Sequence, residues 1–206
     1  MTDALAVLQR LRESRPRPVP RAGEHCELCT ESLAGREHGH LVDLEARRLL
    51  CACRGCYLLF TLEGAGGGHY RAVPDRYLAL SGVRLSPAQW DALQIPVSVA
   101  FFFVNSALDR VAAFYPSPAG ATESLLPLET WDELVAAHPA LAALEPDVEA
   151  LLVRAEGDVS ACFLVPIDAC YELVGHLRRL WRGFDGGREA HEALDGFFDR
   201  VRARAR

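Results

Sequence analysis

The sequence predicts an α+β protein in which a small treble-clef-like zinc module precedes an α+β domain with antiparallel hairpins and C-terminal helices. Three observations support this fold class. Five of the seven cysteines fall between positions 26 and 56. The middle of the chain holds β-rich segments separated by short turns, and the last forty residues carry a helical pattern of apolar residues. With 50% hydrophobic and 24% charged residues, the 206-residue chain has the composition of a globular protein.

Three regions follow one another along the chain. Residues 1–22 predict an N-terminal helix and a Pro-rich linker, and residues 23–60 predict a Cys/His metal-binding module. Residues 61–206 predict an acidic α+β domain, with 13 Arg against 20 acidic residues. The tract Gly64 to Gly68 is interpreted as a flexible join between the last two regions.

The elements of the last region follow from turn and capping signals. Ser86-Pro87 is typical of a helix start, since serine caps a helix and proline suits its first position. The remaining pattern predicts strands at 69–73 and 77–80, a hairpin of 97–104 with 111–115, a loop at 116–124, a helix at 130–137, a second hairpin of 148–153 with 159–165, and helices at 167–181 and 188–204.

Composition and charge exclude several classes of function. All 22 basic residues are Arg, so mechanisms that need a lysine amine, such as Schiff-base chemistry, are excluded. The net charge of −6, with no basic stripe, argues against nucleic-acid binding. No apolar run approaches the ~18–20 residues of a membrane span. Since the N-terminal residues do not resemble a signal peptide, we expect a cytoplasmic protein.

Two C-x2-C pairs, Cys26/Cys29 and Cys53/Cys56, are separated by 23 residues. This spacing is typical of structural zinc sites, because each pair directs two thiolates at one ion and the second pair completes the tetrahedron. Between the pairs, residues 40–45 and 48–52 predict a hairpin, and residues 53–60 predict a helix that begins at the last two ligands. Because a segment of this size has little core of its own, metal binding would dominate its folding.

The segment contains more candidate ligands than one site needs, because Cys51, His38, His40 and His25 accompany the paired cysteines. Residues two apart on a strand face the same side, so His38 with His40, and Cys51 with Cys53, are each expected to project together. Three arrangements remain open. The extra groups surround a four-cysteine zinc site, one histidine replaces a cysteine, or the mixed set holds an iron–sulfur cluster.

Cys170 supports a separate hypothesis of a thiol enzyme. The residue follows Pro166 and Asp168 near the start of a predicted helix, and a helix N-terminus lowers the pKa of a thiol. The alternative is a buried small residue on an apolar helix face.

Several longer segments resemble an uncharacterised actinobacterial family whose genes are typically found beside those of high-affinity nickel–iron hydrogenases. The resemblance covers most of residues 24–187, through CELCTESL, HGHLVDL, CACRGCYLLF, IPVSVAFFF, AFYPSPAGATES, PDVEALLV and VPIDACYELVGHLRRLWRGFDGG. It implies an accessory role in assembly, maturation or electron-transfer support, with hydrogenase subunits or maturation factors as partners. It brings no catalytic residues.

The leading hypothesis is therefore a non-enzymatic metal-binding accessory protein that acts by protein–protein contact. Zinc fixes the module, and the acidic domain presents binding loops that include residues 116–124. The alternative is a redox protein that carries an iron–sulfur cluster on the Cys/His segment.

Overall fold

The structure, a computed structural model, describes residues 24–62, 64–124, 128–157, 159–183 and 186–205. The helix and linker predicted for residues 1–22 lie outside the described residues. Within them the chain forms two antiparallel sheets, one of three strands and one of six, flanked by helices. The predicted α+β class is confirmed. No described helix combines the length and apolar character that crossing a bilayer requires.

The small sheet contains the predicted hairpin. Strand β1 (Gly39–Asp43) pairs with β2 (Arg48–Ala52) in antiparallel register, and helix α1 (Arg54–Leu59) follows directly. A third strand, β3 (Tyr70–Ala72), pairs with the other edge of β1, so the strand order is β2-β1-β3. The sheet therefore continues past residue 60 to Ala72.

The glycine tract makes the return to β1 possible. Residues 65–68 form a 3₁₀ turn in which Gly66, Gly67 and Gly68 have φ of 62°, 70° and 77°. Only glycine adopts this left-handed conformation without a steric penalty. The tract is a structured turn within the small sheet.

The large sheet has the strand order β4-β9-β8-β5-β6-β7, and every neighbouring pair is antiparallel. Both predicted hairpins are confirmed, as β5 with β6 and β8 with β9. The strands are β4 (Leu78–Ala79), β5 (Val99–Asn105), β6 (Arg110–Ser117), β7 (Gly120–Ser124), β8 (Glu149–Glu156) and β9 (Val159–Pro166).

The predicted loop at 116–124 is wrong. Residues 110–117 continue as β6, a two-residue turn follows, and Gly120 pairs back with Ser117 at the start of β7. Pro116, which has no N–H to donate, is tolerated because β5 pairs only with the first part of β6. The Pro- and Gly-rich composition marks a tight hairpin turn at this point.

Helices cover both faces of the large sheet, which explains why the middle residues of its central strands are apolar on both faces. Phe101 and Leu152 pack beneath α4 (Ile167–Leu180) and α5 (Gly187–Arg204). Phe102 and Leu151 face the opposite layer, which includes α2 (Pro87–Ala92), α3 (Leu128–Ala137) and a 3₁₀ turn at Pro139–Ala143.

The two sheets share one interface. Val42 of β1 and Val73, just after β3, are buried in the core beneath α4 and α5. Arg71 Nη1 donates to the carbonyl oxygen of Pro146 at 2.9 Å. These contacts bring the face of the small sheet that carries Val42 to the N-terminus of α4.

Candidate metal centre

The first C-x2-C pair lies in a tight turn that is closed by two backbone hydrogen bonds. The N–H of Cys26 donates to the carbonyl of Glu31 at 2.7 Å, and the N–H of Thr30 donates to that of Cys26 at 2.8 Å. Thr30 has a φ of 65°, a left-handed conformation that closes the turn and is unusual for a β-branched residue. The turn is attached to β2, because Glu27 N–H donates to the carbonyl of Cys51 at 2.9 Å and the Glu27 carboxylate accepts from Cys51 N–H at 2.7 Å.

The second pair is positioned by the start of α1. Cys53 is the N-cap, with an extended backbone, and its Sγ accepts from the N–H of Cys56 at 3.5 Å. Its carbonyl accepts from the N–H of Tyr57 at 2.8 Å. The end of β2 therefore places Cys53 beside the first pair, and the first turn of α1 adds Cys56.

The four sulfur atoms of Cys26, Cys29, Cys53 and Cys56 all lie within 4.8 Å of one another. The Cys29 and Cys53 sulfurs are 3.7 Å apart, much farther than the ~2 Å of a disulfide. Tetrahedral thiolates at the ~2.3 Å of a zinc–sulfur bond stand about 3.8 Å from each other. The donor set and its spacing fit one tetrahedral metal ion. These four cysteines can hold a metal.

The surroundings of the four thiols favour the ionised form of Cys26 over that of Cys56. Burial raises the pKa of Cys26, but N–H groups of Cys53, Cys29 and Leu28 point at its sulfur and lower the pKa overall to about 6. Burial, followed by contacts with the neighbouring thiols, raises the pKa of Cys56. Four thiols in contact do not all ionise without a cation, because each negative charge opposes the next.

The cysteines also form part of the module's core. Its buried cluster consists of Leu33, Leu41, Leu50 and Ala52 together with Cys26 and Cys53. These buried side chains are few, the rest of the cluster being only partly covered, and a metal that joins the cysteines would hold the turn, the hairpin and α1 together.

The remaining predicted ligands form a separate group. Ligand atoms of His38, His40 and Cys51 lie within 4.8 Å of one another, and His40 is directly opposite Cys51 in the β1–β2 register. The expected pairing of His38 with His40 is confirmed. The expected pairing of Cys51 with Cys53 is wrong, because β2 ends at Ala52 and Cys53 turns into the helix cap.

Two residues that support the site, Asp168 and Gly39, are not among the ligands that the sequence predicts. Asp168, on α4, contacts His40 across 128 positions of sequence, with Oδ2 2.7 Å from Nδ1. Gly39 leaves room for the ring of Tyr57, since a Cβ at Gly39 would lie 2.3 Å from that ring. The spacing H-G-H is a local signal for the glycine, whereas the Asp168 contact depends on the packing of the two sheets.

Cys170 does not have the properties of a reactive thiol. Burial raises the pKa of Cys170 well above its usual value, and the nearby Asp168 carboxylate raises it further. The side chain is fully enclosed by the core beneath α4. Its position at a helix start is therefore structural.

Comparison with known families finds that residues 25–205 match the family described as "Family of unknown function (DUF5947)". The chain belongs to this family. All seven predicted ligands lie within the part that matches DUF5947. Neither the curated proteins nor the solved structures give a match.

Proposed function

We propose that the protein is a zinc-bearing accessory protein that acts through protein–protein contact, with zinc held by Cys26, Cys29, Cys53 and Cys56. The observation that carries this proposal is the convergence of the four sulfurs to within 4.8 Å. A single ion bound by four protein thiolates has no open position, so its role is structural.

The same distances favour a single ion over an iron–sulfur cluster. In a cluster the thiolates bind different iron atoms with sulfides between them, which requires a wider cavity than one tetrahedral ion. The sequence resemblance supports hydrogenase subunits or maturation factors as the partners, reached through the acidic α+β domain.

Metal content tests the zinc proposal. Full-length protein is purified without oxygen, passed over an iminodiacetate resin to remove loosely bound ions, and analysed for metals, sulfide and visible absorption. We expect a colourless protein with one zinc per chain. Cys29→Ser should lose this zinc, and Cys29 is a suitable target because it is exposed, so the substitution removes a ligand without removing a buried side chain. Cys162→Ala, a buried cysteine outside both ligand groups, should retain it.

A brown protein with iron and labile sulfide would contradict the zinc proposal and support the redox alternative. The partner proposal has its own test, co-purification of hydrogenase subunits with tagged wild-type protein. Recovery of those subunits by wild type and by Cys29→Ser alike would support contact through the acidic α+β domain, whereas their loss with Cys29→Ser would show that contact also needs the folded zinc module. Failure of wild type to recover them would overturn the hydrogenase assignment and leave the zinc result unaffected.

A further inference from the structure

We propose that His38, His40 and Cys51 form a second metal site, distinct from the four-cysteine site, that binds a divalent first-row transition metal ion exchangeably. This inference goes beyond the proposed function, because a site with three protein ligands keeps a coordination position open. It rests on the geometry of β1, β2 and α4.

Strand alternation separates the two ligand groups. Leu41, Leu50 and Ala52 point into the module's core with the buried cysteines. Their neighbours His40 and Cys51 point to the opposite face of the sheet, because successive side chains of a strand alternate. His38, two residues before His40, projects from the same face, and the two imidazole rings meet edge to face with centroids 5.2 Å apart.

A carboxylate fixes the central ligand. Asp168 Oδ2 lies 2.7 Å from His40 Nδ1, and its Oδ1 accepts from the N–H of Ala169 at 2.8 Å. Because Nδ1 is engaged by Asp168, Nε2 is the ring nitrogen left to bind a metal. Metal-binding histidines commonly have such a carboxylate partner, which sets the tautomer and strengthens the nitrogen donor.

The donor set selects the class of ion. Two imidazoles and one thiolate suit zinc, cobalt, nickel and copper, whereas magnesium and calcium require oxygen ligands. The ligand atoms are at most 4.8 Å apart, so a bound ion needs them to close by about 1 Å. The exposed His38 side chain can provide this movement by rotating.

The position of the site explains why it would remain open. The three ligands line a surface groove of about 1390 Å³ between the small sheet and α4, together with Arg54, Tyr171 and other residues. His38 is exposed, and His40 and Cys51 are partly exposed. Water or a donor group of another molecule therefore has access to the fourth position.

Cobalt(II) is the probe for this site. Full-length protein that retains its tightly bound metal is titrated with Co²⁺ after the iminodiacetate resin, and both visible absorption and retained zinc are measured. We expect one added cobalt per chain, with tetrahedral bands and the weak sulfur-to-metal charge transfer of a single thiolate. His40→Ala and Cys51→Ser should abolish these bands. His176→Ala, an exposed histidine on α4 outside the ligand groups, should retain them.

Asp168→Asn tests the positioning residue. Loss of the charged partner should weaken cobalt binding by about 10- to 100-fold. The zinc content and the urea unfolding midpoint should not change, which a merely structural role of Asp168 would not explain.

Two results would overturn the second site. One is wild-type protein, with its zinc retained, that binds no cobalt. The other is an equal loss of cobalt in His176→Ala, which would show binding by exposed histidines in general. Both outcomes are read on protein whose zinc is measured separately, so they leave the four-cysteine proposal standing. Wild-type protein that contains no zinc after the resin but still gives the cobalt bands of one thiolate would overturn only the four-cysteine proposal.

Discussion

Gly39→Ala is expected to weaken the four-cysteine site although residue 39 is not a ligand. A Cβ at this position would lie 2.3, 2.6 and 2.9 Å from three ring atoms of Tyr57. Real carbon atoms do not approach this closely, so the ring or the strand must move. The ring is restrained, because Tyr57 Oη donates to the carbonyl of Val73 at 2.9 Å. Tyr57 also follows Cys56 directly, so its displacement moves a ligand.

The expected loss of zinc affinity follows from the cost of overpacking a core, typically about 1–3 kcal/mol. If the metal-bound state alone carries this strain, zinc affinity falls by roughly 5- to 150-fold, at ~1.4 kcal/mol for each factor of ten. The loss is measured by competition with a chromophoric chelator and compared with the urea unfolding free energy. Gly82→Ala is the matched control, since nothing lies within 4 Å of a Cβ there and its φ is ordinary.

A double-mutant cycle isolates the clash. In a Tyr57→Ala background the ring is absent, so Gly39→Ala should cost less than in wild type by about 0.5–3 kcal/mol, the interaction energy typical of residues in direct contact. A Gly39→Ala protein that binds zinc and unfolds as wild type does would refute the argument. So would an equal cost of the substitution in both backgrounds.

Three further predictions concern the large domain. Arg76→Met should reduce the urea unfolding free energy by about 3–5 kcal/mol, because it leaves the fully buried Glu149 carboxylate without its bidentate partner, and the double variant with Glu149→Gln should recover part of the loss. Ser86→Ala should cost about 1 kcal/mol in the same assay, since it removes the capping box with Gln89, and an unchanged midpoint would contradict this. Burial raises the pKa of Cys162 to about 11 from 9.0, so its contribution to stability is present below pH 9 and is lost as the pH rises to 11. Cys162→Ala should therefore flatten the decline of the unfolding free energy over that interval, and an unaltered slope would count against the shift.

Features determined by short stretches of sequence could be predicted. The C-x2-C pairs, the hairpin between them and the helix that follows depend on residues close together in the chain, and each is present. Ser86-Pro87 correctly marked the start of a helix, because capping involves only Ser86 and Gln89 three residues later. The two large hairpins were predictable from apolar runs joined by short turns.

Features that depend on distant packing could not be predicted in this way. The Pro- and Gly-rich segment from Pro116 to Ser124 indicated a loop, but the edge of the large sheet offers backbone partners that make it a strand pair. The contacts of Asp168 with His40 and of Arg76 with Glu149 join residues 128 and 73 positions apart. Nothing in the spacing of these residues relates one to the other.

The separation of the seven predicted ligands into two groups has a single physical cause. Cys51 and Cys53 have the spacing of residues that share a strand face, and they would do so if β2 continued. The strand ends at Ala52, and the extended backbone of Cys53 caps α1, so its sulfur joins the buried set while Cys51 stays with His40. One strand end thus allows a closed four-thiolate site and an accessible three-ligand site within a few residues. Since His40 also contacts Asp168 of α4, an ion bound at the accessible site would stabilise the packing of the small sheet against the large domain.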